Sequence, residues 1–151
     1  MNLFGLIFRT ILQLQIINKS LADLLKKAEE SGRTVEAKLA GKADTPQNRE
    51  KMRHIIGIER WGQRRLKTML GEPPLRDEYE GYQPAATLNM AALRTAFAET
   101  RAATVAIART IQQRGLAETA KANHNDIGDV SLRLWLQYLT THANFESGFV
   151  K

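Results

Sequence analysis

Apolar residues recur three and four positions apart through four long stretches of this chain, and no segment shows the sustained alternation of a strand. The first spacing places side chains on one face of a helix, whereas a half-buried strand needs a period of two. In residues 2–30 the seam is Leu3, Ile7, Thr10, Leu14, Ile17, Leu21, Leu24 and Ala28, so one long helix is expected there. Ser31-Gly32 then ends it, Thr34 caps a short helical piece (VEAKLA), and Gly41 stops that piece. Thr45-Pro46 reads as an N-cap followed by proline at the first helical position, which starts a second long helix over 45–70. Its inward face holds Met52, Ile55, Ile58, Glu59, Gly62, Leu66 and Met69, with His54 on the flank. Residues 89–114 form the third long helix, its stripe running from Leu93 to Ile111, with Arg94, Arg101 and Arg109 mostly facing solvent and Arg101 bordering the stripe. Ser131 caps a fourth, over 131–149. The expectation is one all-α domain over residues 1–151, a four-helix bundle.

The connections constrain how those helices are joined. Residues 72–88 hold Pro73, Pro74, Gly81 and Pro84 and have no period. Seventeen residues exceed the roughly 2–8 usual between bundle helices, so a crossover is expected between the second and third. Tyr79 and Tyr82 lie in it, placed either at a pocket mouth or over the core. Residues 116–130 read as a polar, turn-rich connection with His124 exposed.

The apolar N-terminal segment is greasier than a seam requires, with Phe4, Leu6, Phe8, Ile11, Leu12 and Ile16 adding further faces. Arg9, Gln13, Gln15 and Asn18 interrupt it, so it does not make the roughly 20-residue apolar run of a spanning helix. No small-residue cleavage site follows, which argues against a signal peptide. Two readings remain: a helix covered by the bundle or a second subunit, which is favoured, and an interfacial membrane helix. The chain has no cysteine, which excludes thiolate ligands and a cysteine nucleophile and fits a cytoplasmic protein. Net charge is +6, but no basic run forms a nucleic-acid arm, and no nucleic-acid partner is expected.

Standard enzyme signatures are absent: there is no phosphate-cradling glycine loop, nucleophile elbow or His-Glu-x-x-His. Chemistry is instead suggested by the last helix, where Leu132, Trp135, Leu136, Leu139, His142, Phe145, Glu146 and Phe149 share a stripe. A buried carboxylate needs a partner. For Glu146 that is an Arg from a neighbouring helix, water near the C-terminus, or a cation. His142 and Glu146, one turn apart, can grip one metal ion, and His54 on a facing helix supplies a third donor. Two imidazoles and a carboxylate suit a catalytic zinc, while iron, nickel or manganese fit the same set.

The block RHIIGIERWGQRRLKTMLGEPPLRDEYEGYQP resembles the DinB/YfiT-like superfamily of metal-dependent four-helix bundles in its order of His54, Glu59, Arg65 and an acidic, Pro-containing linker. The segment HNDIGDVSLRLWLQYLTTHANFE matches too, with His124, Gly128 and Ser131 opening the last helix. The family carries two histidines four apart there; this chain has His142 and then Glu146. The resemblance implies an up-down-down-up bundle and a metal held by His54, His142 and Glu146. It also implies an enzyme acting on a small molecule, as a transferase using a low-molecular-weight thiol or as a hydrolase. No protein general base is assigned, because Glu59 can pair with Arg65 or another Arg. The competing expectation is a non-catalytic bundle that forms a homodimer or sits on a membrane through Leu3–Ile17.

Overall fold

The computed structural model describes residues 3–151. Asn2 and the side chain of Phe4, both counted in the expected first helix, lie outside the described residues. Five α-helices make up most of the chain: α1 (Leu3–Ile16), α2 (Leu21–Leu39), α3 (Pro46–Thr68), α4 (Met90–Gln113) and α5 (Leu132–Glu146). Short 3-10 turns cover Tyr79–Tyr82 and Ser147–Phe149. A hairpin of β1 (Lys121–His124) and β2 (Gly128–Ser131) precedes α5. No helix among the described residues is long and apolar enough to cross a membrane.

The single helix expected over 2–30 is two helices. Its apolar seam continues across the break, but a local signal overrides it: Ser20 Oγ accepts the Asp23 N–H at 3.1 Å, and Asp23 Oδ2 accepts the Ser20 N–H at 2.9 Å. This reciprocal capping box starts a new helix. Arg133 closes the other side of the break by donating to the carbonyls of Ile16, at 2.7 Å, and Lys19, satisfying acceptors that a helix end leaves open. The expected stop at Ser31-Gly32 is also corrected, since α2 runs through both residues to Leu39. Gly32 is there for space: a Cβ would stand 3.0 Å from Arg101 Cγ. Gly41, at φ +78°, follows the true end of the helix.

The remaining long helices lie where the caps place them. Thr45 Oγ1 accepts the Asn48 N–H at 3.2 Å with Pro46 opening α3, and Asn89 Oδ1 accepts the Ala92 N–H at 2.9 Å to start α4. The long linker lies along α3. Trp61 Nε1 donates to the Asp77 carbonyl at 3.0 Å, Arg65 Nη1 to Asp77 Oδ1 at 2.6 Å, and Tyr82 Oη to Asp77 Oδ2. The loop expected over 116–130 is corrected to a hairpin, with Ala122 opposite Val130 and His124 opposite Gly128. Gly128, at φ +73°, takes the left-handed position of its short turn.

α2 packs on α4 and α5, and α3 on α4 and α5. The buried apolar residues form two clusters, one around Trp61, Trp135 and Leu139, the other around Met52, Phe97 and Leu93. Along α2 and α4, one cluster gives way to the other at Gly32 and Arg101, and along α3 between Ile56 and Ile58, next to Glu59. Arg101, expected to face solvent, is 4% exposed. Its Nε and Nη2 donate to Glu59 Oε1 (2.6 Å) and Oε2 (2.9 Å), Nη1 to the Ala28 carbonyl (3.1 Å) and Nη2 to the Leu139 carbonyl (3.4 Å). Thr104 Oγ1 donates to Glu59 Oε1 at 2.9 Å. The partner of Glu59 is thus Arg101, while Arg65 serves Asp77.

Removing one member of a buried ion pair leaves the other uncompensated, at about 3–5 kcal/mol, whereas removing both is far less costly. Urea unfolding of Arg101→Met should therefore show a loss of about 3–5 kcal/mol, and Glu59→Leu/Arg101→Met should recover most of it.

Candidate metal centre

α3 and α5 supply the site. Their close approach depends on Gly62, where a Cβ would lie 2.7 Å from Leu139 Cδ2. About two turns from that contact along α3 and one turn along α5, His54 meets His142, with Nε2 to Nε2 at 3.2 Å. Glu146, one turn further along α5, completes the cluster, and the candidate ligand atoms of all three residues lie within 4.8 Å of one another. All three are partly buried. The structure thus brings together the three residues singled out in the sequence, and this His/His/Glu cluster can hold a metal ion.

The protein gives Glu146 a partner of its own. Lys51 Nζ stands 3.1 Å from Glu146 Oε2, so the carboxylate is paired by a lysine of the neighbouring helix. Lys51 also lies 5.8 Å from the centre of the Phe149 ring. This lysine was not singled out in the sequence, although its place three residues before His54 put it within reach.

Burial holds the His54 imidazole below its usual range, with Glu146 pulling it upward and Lys51 pushing it further down. His142 is pushed down to about 4, by burial first and then by His54, against the opposing pull of Glu146. Both rings are therefore neutral at pH 7, the state in which imidazole offers a lone pair to a metal. Two nitrogens bound at about 2.0–2.1 Å to one tetrahedral ion stand roughly 3.3–3.4 Å apart, close to the separation found. Tyr79 meets the His54 ring edge-on at 4.8 Å, and Tyr138 lies 6.1 Å from the His142 ring.

His54 and Glu146 of the cluster line a cleft of about 580 Å³ whose wall also includes Arg49, Glu50, Lys51, Arg53 and Tyr79. Arg53 Nε donates to the Pro84 carbonyl at 2.9 Å, so the linker fixes this guanidinium at the cleft. Tyr79 is the linker tyrosine at the pocket; Tyr82 is engaged with Asp77.

His124 lies apart from the cluster. It was expected in an exposed loop, but the residue is 4% exposed and its ring packs against Trp61 (5.0 Å), Trp135 (5.2 Å) and Tyr138 (4.7 Å). Nδ1 accepts the Asp126 N–H at 3.2 Å, so the neutral ring carries its proton on Nε2, a buried nitrogen without a hydrogen-bond partner. Burial brings its pKa from 6.5 down to about 4; Asp126 opposes this and Arg65 adds to it. Between those two pH values an unfolded chain binds a proton that the native ring refuses. The resulting stability is complete above about pH 6.5 and lost as pH falls toward 4, on the order of 3 kcal/mol. His142 titrates in the same window, so His124→Phe should remove about half of the acid-side slope in urea unfolding measured across that range.

The chain matches no protein-family model. It also has no significant match among curated proteins or solved structures.

Proposed function

We propose that this chain is a metal-dependent enzyme of the DinB/YfiT-like class, acting on a small molecule, with a divalent ion held by His54, His142 and Glu146. The observation that carries the proposal is the 3.2 Å approach of two neutral imidazole nitrogens beside a carboxylate at the wall of an open cleft. Zinc is the proposed ion because two imidazoles and one carboxylate are a known catalytic zinc set with a fourth position free. Such an ion makes a water or a small thiol nucleophilic at neutral pH. The reaction is then hydrolysis or thiol-dependent transfer, and with no cysteine in the chain the thiol arrives as cosubstrate.

The chain's own residues complete the site. Arg53, held through Nε, lines a cleft in which Lys51 is paired with Glu146 and Arg49 with Asp44, which leaves its guanidinium as the cation to meet a substrate. A carboxylate or phosphate on the substrate is the natural counterpart of such a fork. Lys51 holds Glu146, the carboxylate that would serve the ion when one is bound. The proposed fold for this class is an up-down-down-up four-helix bundle of α2, α3, α4 and α5. Supporting it, Met90 N–H reaches Asp44 Oδ1 at 3.1 Å, so α4 begins where α3 begins. Lys27 and Ser31 of α2 pair in the same order with Gln137 and Asn144 of α5.

Protein purified without a histidine tag should carry or take up close to one equivalent of zinc by elemental analysis. His54→Ala and His142→Ala should abolish this, and Glu146→Gln should weaken it by about 10-fold or more. Zinc at about 100 times Kd should raise stability by about 2.7 kcal/mol in the native chain and not in His142→Ala. Absence of zinc, nickel, iron and manganese uptake would overturn the proposal.

A further inference from the structure

Nine large apolar side chains are exposed among the described residues, and six of them belong to α1 or the residue following it: Leu3, Leu6, Ile7, Ile11, Leu14 and Ile17. At 100° per residue they share one arc of roughly 140°. The opposite side of α1 is occupied. Leu12 and Ile16 are buried, Phe8 meets Tyr138 edge-on at 6.2 Å, and Gln15 Oε1 accepts from Gln137 Nε2 at 2.7 Å. Arg9, the only charged residue of α1, donates to the Ile127 carbonyl at 3.1 Å. The apolar arc therefore carries no charge. Its one polar member, Thr10, returns its hydroxyl to the Leu6 carbonyl at 2.9 Å.

The exposed arc amounts to about 600 Å², at the top of what a monomer ordinarily leaves bare. Its centre line is Leu3, Leu6, Thr10, Leu14 and Ile17, with steps of three, four, four and three. That order is the same read from either end, with Thr10 at the middle. A surface that matches its own reversal is what an isologous two-fold contact requires.

We infer that α1 is the contact surface for a second copy of this chain. The two α1 helices pack antiparallel about an axis at Thr10, with Leu3 against Ile17 and Leu6 against Leu14 of the other copy. The small threonine at the crossing lets the backbones approach, and Ile7 and Ile11 flank the seam. Meeting stripes remove about 1,200 Å² from water, the lower end of a specific interface. A lipid surface fits less well, because an interfacial helix borders its apolar face with Lys and Arg. Here Arg9 is turned inward and Arg133 is spent on the carbonyls of Ile16 and Lys19. The inference is independent of the metal centre.

The full chain at micromolar concentration should sediment as a dimer. Leu6→Glu/Leu14→Glu should sediment as a monomer with unchanged helix content and a melting temperature that no longer rises with protein concentration. Because the chain has no cysteine, single replacements report the register directly. On oxidation Thr10→Cys should link to itself, and Leu3→Cys should link to Ile17→Cys but not to itself. A wild-type monomer, a dimer that survives the double substitution, or self-linking of Leu3→Cys in place of Thr10→Cys would each overturn the inference. So would a wild-type monomer that floats with phosphatidylcholine/phosphatidylglycerol vesicles.

Discussion

One guanidinium ties four helices together. Arg101 starts on α4, forms a two-pronged ion pair with Glu59 of α3, and donates to backbone carbonyls of α2 and α5. A charge that far from water is tolerated only when its donors are matched, and here Nε and both terminal nitrogens have acceptors. The requirement propagates. Residue 32 of α2 must be glycine-sized so that the arginine stem can pass, and Thr104 must turn its hydroxyl to the same carboxylate. The pair also fixes the rotation of each helix, since an apolar core alone tolerates small slips that a bidentate contact does not. The geometry of α3 against α5, on which the histidine cluster depends, is held from within by this plate of charge.

The cluster at His54, His142 and Glu146 sits at one end of that arrangement, where the core meets the cleft. Two uncharged rings lie beside a lysine–carboxylate pair, so the protein supplies electron pairs and a neutralised anion in the same few ångströms. The linker contributes from above: Tyr79 covers the His54 ring and Pro84 steadies Arg53. The segment with the least secondary structure is thus the one that shapes the cleft.

Much of this was legible before any coordinates. The starts of α3 and α5 were marked by Thr45-Pro46 and Ser131, because a cap is a local event with a local signature, whereas α4 was read from its apolar stripe. His142 and Glu146 could be named because they share one stripe with apolar residues, and His54 because it flanks the inward face of the facing helix and fits the order of the resembled family. The break between α1 and α2 was hidden by an apolar seam that runs through it, although Ser20 and Asp23 spelled out a capping box. The hairpin was hidden because its residues are mostly polar and it has only two short strands, one of which buries a histidine among aromatic rings. Arg101 read as surface because charge on a helix usually faces water; only the third dimension shows the carboxylate and carbonyls waiting for it. Lys51 was missed for the same reason, being one lysine among many until α5 is placed opposite.

The attachment of the linker has a bearing on how the chain reaches its native state. α3 is 23 residues long, and the first N–H of α4 is bonded to Asp44, two residues before α3 starts, so the polypeptide retraces about 34 Å before the two helices can pair. Closing so wide a loop at random costs entropy in advance of any contact that repays it. The attachments of Asp77 to Trp61, Arg65 and Tyr82 span only 5 to 16 positions, so the return path is laid against α3 by contacts of low closure cost. Short-range anchors of this kind turn one long search into a sequence of brief ones.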